Sequence, residues 1–332
     1  MANIAPFPGM RYNPDKVDDL SLVVSQPYDR VRYGLQDEYY GLHPYNIVRV
    51  IKGRELEGDA PDGENVYSRA RDYYQSWLES GYLQRDTEPA LYVYHQTFTL
   101  PNGTELTRKA FVAALQLAEF DEGIVLPHER TLSGPKVDRL NLLRATETNF
   151  GQIFMLYPDA ENRINALLDA AIAGREADID VRELFEKDVR QQVWAVTDPE
   201  VIAAVVAEMA PKQGLIIADG HHRYETALNY RAEMREQHPE APADAAFNYR
   251  MVTLVSMDDP GLTILPTHRE MHDYHAKTTA QILADAQAYF EVTPMADRAA
   301  MEAALAEETV TDRRIGFYDG SYYLLRLKGP EV

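Results

Sequence analysis

The chain has no cysteine among its 332 residues. That excludes disulfides and thiol nucleophiles, and with them cysteine-ligated zinc and iron–sulfur centres. Positive charge is scarce as well: 33 Lys and Arg face 53 Asp and Glu, for a formal net charge of −20. A field of that sign repels nucleic acid and anionic membrane surfaces, so neither is expected as a partner, although a local basic pocket can still take a small anion. No apolar run approaches the ~18 residues of a membrane span. Residues 1–12 lack a basic start followed by an apolar core, so no signal peptide is expected, and a cytoplasmic location is. Also missing are a Walker A loop, a dinucleotide glycine fingerprint and a Gly-x-Ser-x-Gly elbow. Nothing repeats at a fixed period.

What is present is ordinary in bulk. A hydrophobic content of 45% and a charged content of 26% suit a globular protein. Asn46 to Lys52 reads as a strand, and residues 64–80 as an amphipathic helix with Tyr67, Ala70, Tyr74, Trp77 and Leu78 on one side. Leu91 to Leu100 and Thr107 to Leu117 read as a hairpin around Pro101-Asn102-Gly103, with Arg108-Lys109 facing solvent. A helix over about Lys136 to Thr146 is expected to turn Val137, Leu140 and Leu143 inward. Then come a strand over Gly151 to Tyr157, a helix over 161–173, a strand over Gln192 to Val196 and a helix over 199–209. Tyr249 to Met257 is a further strand, and the tail offers helices over 277–290 and 297–307 and a hairpin around Asp319-Gly320. Interleaved strands and helices indicate a mixed α/β (α+β) fold. No linker separates clean halves, so the division is soft: an N-terminal α+β region over 1–120, a module over 121–275, and C-terminal helices with a hairpin over 276–332.

The most informative stretch is residues 214–228. Leu215 to Ala218 has the length and composition of a buried strand, Asp219-Gly220 is a turn signal, and Tyr224, Ala227, Leu228 and Met234 follow at close to helical spacing. A strand-to-helix turn aims backbone N–H groups and the positive end of the helix dipole outward. Asp219, Gly220, His221, His222 and Arg223 crowd that junction and suit a bound phosphate. The plainer alternative is that Asp219 caps the helix and the histidines are surface residues. His221 and His222 are adjacent, which suits a metal poorly, and no metal is assigned.

The second constellation is Pro127-His128-Glu129-Arg130-Thr131. Glu129 among potential cations stays ionised, and a carboxylate beside a substrate hydroxyl can take its proton during phosphoryl or acyl transfer. Pro127 and Pro135 bracket the segment and favour a fixed loop over a helix interior. An exposed loop whose charges pair with each other is the alternative. Thr267-His268-Arg269 reads either as an anion-binding loop or as a polar strand end.

These motifs, together with Arg11-Tyr12-Asn13, Pro27-Tyr28-Asp29, Pro44-Tyr45-Asn46, Asp138-Arg139 and Gly261-Leu262-Thr263-Ile264-Leu265-Pro266-Thr267-His268-Arg269, resemble domain-of-unknown-function family 1015 through nearly the whole chain. Members usually continue into a Met-Pro-x-Lys-Ser-Thr-type motif, which residues 1–332 do not contain, so no role is carried over for its lysine. More distantly, the Asp-Gly-His-His-Arg turn resembles the phosphate turn of the ParB/sulfiredoxin-like superfamily, which includes free-serine kinases. That resemblance implies a ParB/serine-kinase-like core with N- and C-terminal additions. It implies Glu129 as base and Gly220, His221, His222 and Arg223 as phosphate ligands. His128, Arg130, Thr131, His268 and Arg269 would assist, and Asp219 would hold Mg²⁺ or orient a histidine. The implied activity is phosphoryl transfer from a nucleotide, ADP or ATP, to a small hydroxylated metabolite. The alternatives are a nucleotide-binding regulatory switch with little turnover and a phosphoesterase.

Overall fold

The computed structural model describes the whole chain except residues 33, 101, 130–132, 187, 266–267, 273–274, 310 and 330–332, and the side chains of 133 and 135. The fold is mixed α+β and divides into two compact units, Met1–Ile264 and Leu265–Val332. Among the described residues no helix is long and apolar enough to cross a membrane.

In chain order the first unit contains β1 (Ile4–Ala5), β2 (Met10–Tyr12), α1 (Leu35–Leu42), α2 (Val48–Ile51), α3 (Val66–Glu79), β3 (Leu83–Arg85), β4 (Leu91–Thr99) and β5 (Glu105–Gln116). It continues with β6 (Val125–Leu126), α4 (Ser133–Thr146), β7 (Ile153–Tyr157), α5 (Arg163–Ile172), β8 (Ile179–Arg182), β9 (Arg190–Val196), α6 (Pro199–Met209), β10 (Leu215–Asp219), α7 (His221–Gln237) and β11 (Tyr249–Ser256). The main sheet runs β6-β10-β7-β11-β5-β4-β9-β8, with β1 beside β5. β6 and β10 are parallel, as are β7 and β11; the other neighbours are antiparallel. The β4–β5 hairpin therefore shares one sheet and one core with strands from beyond residue 120: Leu91, Phe111 and Leu115 are buried with Ile153, Met155, Leu215 and Ile217. β2 and β3 pair separately.

The second unit contains α8 (Thr279–Ala286), β12 (Phe290–Met295), α9 (Arg298–Ala306), β13 (Arg314–Tyr318) and β14 (Tyr322–Leu327). Its sheet is antiparallel in the order β12-β14-β13.

Four local expectations are corrected. Asn46 to Lys52 is a helical turn rather than a strand. The Asn46 amide is fully buried; its NH₂ donates to the carbonyls of Leu22 and Val24, and its oxygen accepts from the Val48 N–H at 3.0 Å. That anchor overrides the β-propensity of the Ile/Val run. Val137 is 58% exposed, because α4 buries Leu142 and Leu143 while packing against α3 and α7. α4 also begins at Ser133, so Pro135 lies in its first turn, where a missing N–H leaves no bond unmade, and the fixed loop does not extend to Pro135. Arg108 and Lys109 do not face open solvent: the Arg108 guanidinium lies 4.6 Å over the Phe154 ring, and Lys109 Nζ bonds Asp169 on α5 at 2.6 Å. The hairpin is interior to the sheet, between β11 and β9, so its polar face meets neighbours.

Replacing Asn46 with Ala strands two carbonyls and one N–H in a buried position. Chemical denaturation should show a loss of about 2–4 kcal/mol. A change within the noise of a surface substitution would contradict the anchoring role of this side chain.

Candidate functional site

The site is built on the end of β10. Leu215 and Ile217 point into the core with period two; the pairing with β7 then shifts register between Ile217 and Asp219, and Asp219 at the strand's end is exposed. Gly220 follows at φ +98°, a conformation that strains any residue with a Cβ, and it occupies the N-cap of α7. The capping role open to Asp219 is thus taken by Gly220. Asp219 instead pairs with Arg223 one turn along the helix and remains 62% exposed. A Cβ on Gly220 would lie 3.0 Å from Arg223 Nε, and one on Gly151 would lie 3.2 Å from its Nη1. The two glycines form a slot for this guanidinium, which also donates to the Gln152 carbonyl.

α7 is fixed from behind. The buried Tyr224 hydroxyl donates to the Ala118 carbonyl at 2.8 Å and accepts from the Ala118 N–H at 3.1 Å. Three residues earlier, His221 is buried at the helix start. The His128 backbone N–H donates to His221 Nε2 at 3.2 Å, and the two imidazoles meet edge to face with centroids 4.5 Å apart. His128 Nδ1 lies 2.6 Å from the Ile217 carbonyl on β10. A carbonyl only accepts, so Nδ1 carries the proton and Nε2 keeps a lone pair. In this way the loop after β6 is tied to the β10–α7 turn through one strand carbonyl and one histidine ring. Glu129, 55% exposed, is placed with its Oε1 3.0 Å from His221 Nδ1, off the line of a hydrogen bond.

His128, Glu129 and His221 offer ligand atoms all within 4.8 Å of one another, the spacing of a metal site. The hydrogen bonds favour a different use. With Nε2 accepting from the His128 amide, neutral His221 carries its proton on Nδ1 and has no lone pair there for a metal. The trio then offers a cation one imidazole nitrogen and one carboxylate, fewer than a structural or catalytic zinc takes. The His221 Nδ1 proton faces the Glu129 carboxylate at 3.0 Å, an arrangement that can exchange a proton. Burial lowers the pKa of His221 below the ordinary histidine value; Glu129 opposes the shift, His128 reinforces it, and Asp219 and Glu225 oppose it.

The structure therefore brings together His128, Glu129, Asp219, Gly220, His221 and Arg223. His222 is half-buried on the first turn of α7. Arg130 and Thr131 lie outside the described residues. His268 and Arg269 are exposed and belong to the second unit, outside the sheet that carries the cluster. Two arginines not singled out as site residues in the sequence also bear on this region: Arg250 on β11, held by the Gly151 carbonyl next to the Gln152 carbonyl that holds Arg223, and Arg139 on α4, whose charge reaches Arg250. Arg139 lay in plain view in the Asp138-Arg139 motif. Arg250 carried no signal, because one Arg in a strand reads as a solvent-facing position.

All of these residues fall within a single family match. The sequence profile described as "Protein of unknown function (DUF1015)" covers residues 4–332. The chain belongs to the DUF1015 family. No curated protein and no solved structure matches it. Membership in DUF1015 agrees with the whole-chain resemblance read from the motifs and carries no activity with it, so the chemistry rests on the geometry.

His221 generates a pH prediction. Its pKa in the fold lies below the unfolded value of about 6.5. The neutral ring therefore contributes its full stability above that value, and the contribution is lost as pH falls through the window beneath it. A His221→Asn variant should lose less of its Tm than the parent chain between about pH 7 and pH 5. Parallel Tm profiles would show that His221 is not held neutral.

Proposed function

We propose that this chain is a nucleotide-dependent phosphotransferase, moving a phosphoryl group from ADP or ATP to a small hydroxylated metabolite, with serine the first candidate. The observation that carries the reading is Glu129: an exposed carboxylate whose Oε1 lies 3.0 Å from His221 Nδ1, beside the turn where Gly220 and Arg223 open α7. A proton acceptor and a phosphate-type turn share one junction. Phosphoryl transfer asks little covalent chemistry of a protein beyond positioning and charge neutralisation, and this junction supplies both.

In the step proposed, the Glu129 carboxylate takes the proton of the acceptor hydroxyl. The acceptor oxygen bonds to the terminal phosphorus, the bond from that phosphorus to the bridging oxygen breaks, and the departing nucleotide keeps the electron pair. Gly220 and the backbone N–H groups of His221 and His222 at the start of α7, with Arg223, would face the nucleotide phosphates. Asp219 offers an exposed carboxylate at the same turn to a Mg²⁺ brought by the nucleotide. The order of the Glu129 loop, α4, β7 and then β10–Gly220–α7 is the order of the ParB/sulfiredoxin-like phosphate module, with α5 to α6 as an insertion. That order supports placing the core in this group, and a cytoplasmic setting belongs to the same reading.

Mutant kinetics separate a base from a phosphate ligand, because a base acts on the barrier and a ligand on affinity. Glu129→Gln keeps size and hydrogen bonding but cannot take the proton. It should leave nucleotide affinity within about twofold while turnover with serine or a related hydroxy metabolite falls by roughly 10²–10⁴. Wild-type turnover in the variant would place the base elsewhere. Binding of nucleotide with a conformational response but no acceptor-dependent turnover would favour a regulatory switch, and phosphate release to water alone a phosphoesterase.

A further inference from the structure

Arg250 lies on β11 and is only 6% exposed. Its guanidinium donates to the Asn149 side-chain oxygen and, at 2.9 Å, to the Gly151 carbonyl. Its Nε is buried with no hydrogen-bond partner. Among the described residues no carboxylate pairs with it. Both acceptors are neutral, so they orient the charge without discharging it. Burial first, then the like charges of Arg223 and Arg139, pull this guanidinium down to about 9, still cationic at neutral pH. A buried charge without a counter-ion is expensive to keep, and an apolar side chain of similar volume would fill the same space at lower cost. An orphaned buried donor in a folded chain calls for an explanation.

The neighbours supply one. Arg223 is held by the Gln152 carbonyl, one residue beyond the Gly151 carbonyl that holds Arg250, so the 149–152 segment brackets both guanidiniums. The Arg139 guanidinium carbon lies over the Tyr28 ring, 4.0 Å from its centroid, and its Nε and Nη2 donate to Asp138. Tyr28 in turn feels the charges of both Arg139 and Arg223. Asp138 pairs with Arg139 and Asp219 with Arg223, and the charge of Asp29 also reaches Tyr28, but Arg250 is left without an ion-pair partner among the described residues.

We propose that Arg139, Arg223 and Arg250, arriving from α4, α7 and β11 beside Tyr28, form a socket for a ligand's oxyanion, a phosphoryl or a carboxylate group. The bound anion supplies the counter-charge that Arg250 lacks and accepts its unused donor. Guanidinium forks suit either group, because both present several acceptor oxygens to planar donors. The inference rests on the proposed function only for the role of Arg223 and holds whether or not the chain turns over a nucleotide.

The test uses the full chain, with inorganic phosphate and acetate titrated separately against NaCl at matched ionic strength, followed by thermal shift and calorimetry. A ligand that binds only the folded state raises Tm by mass action. Stabilisation by phosphate assigns the socket to a phosphoryl group; stabilisation by acetate alone assigns it to a carboxylate. In either case Arg250→Met and Arg139→Gln should each weaken binding by roughly tenfold or more, while Arg144→Gln, at an exposed pair with Glu233 on the same helix as Arg139, should leave it unchanged. If Arg250→Met does not fold, Arg139→Gln and Arg250→Lys carry the test, the latter keeping charge but losing the fork. The inference is overturned if neither anion stabilises the parent chain, or if the folded variants bind as the parent does. Loss of anion binding in the variants without any phosphotransfer activity would sink the proposed function and leave the socket standing.

Discussion

The hydrogen bond from the His128 amide to His221 Nε2 joins the parts on which the site depends. One partner belongs to the loop after β6, the other to the first residue of α7. The bond sets the tautomer of a buried ring, and the tautomer decides what that ring can do. With Nε2 occupied, His221 faces Glu129 with a proton rather than a lone pair. The same ring keeps its buried position because α7 is clamped through Tyr224 to the chain just after β5.

Electrostatics sharpen the picture. The whole chain carries −20, yet the junction of α4, α7 and β11 gathers three guanidiniums. At physiological salt the screening length is about 8 Å, so an approaching anion meets the negative surface weakly and the local cluster strongly once it is close. Neutral carbonyls at Gly151 and Gln152 hold two of those guanidiniums in place. Arg139 and Arg223 each pair with a carboxylate, Asp138 and Asp219, whereas Arg250 has only neutral acceptors.

Much of this was legible in the residues. The β10–turn–α7 unit followed from a short apolar run, a Gly and a helical repeat, and those signals are local. The helix over 199–209 matched its expected bounds because Asp198 caps it and Pro199 starts it. The errors came where a distant partner decides. Asn46 anchors a helical turn through carbonyls more than twenty residues away in sequence, at Leu22 and Val24. Arg108 looked solvent-facing until the sheet placed it against Phe154. The turn at 219–223 could be read as a phosphate site, but its coupling to Glu129 through His221 crosses about ninety residues and leaves no periodic trace. Arg250 was hidden for the same reason: its meaning lies in neighbours from two helices.

The central claim is that the turn opening α7 receives the phosphates of a nucleotide. Calorimetric titration of the full chain with ADP and with ATP, each with Mg²⁺, tests it most directly when repeated on Arg223→Ala. The account predicts saturable binding by the parent chain and an affinity lower by roughly tenfold or more in the variant, the loss expected for one charge-assisted hydrogen bond. No binding by the parent, or an unchanged dissociation constant in the variant, would contradict it.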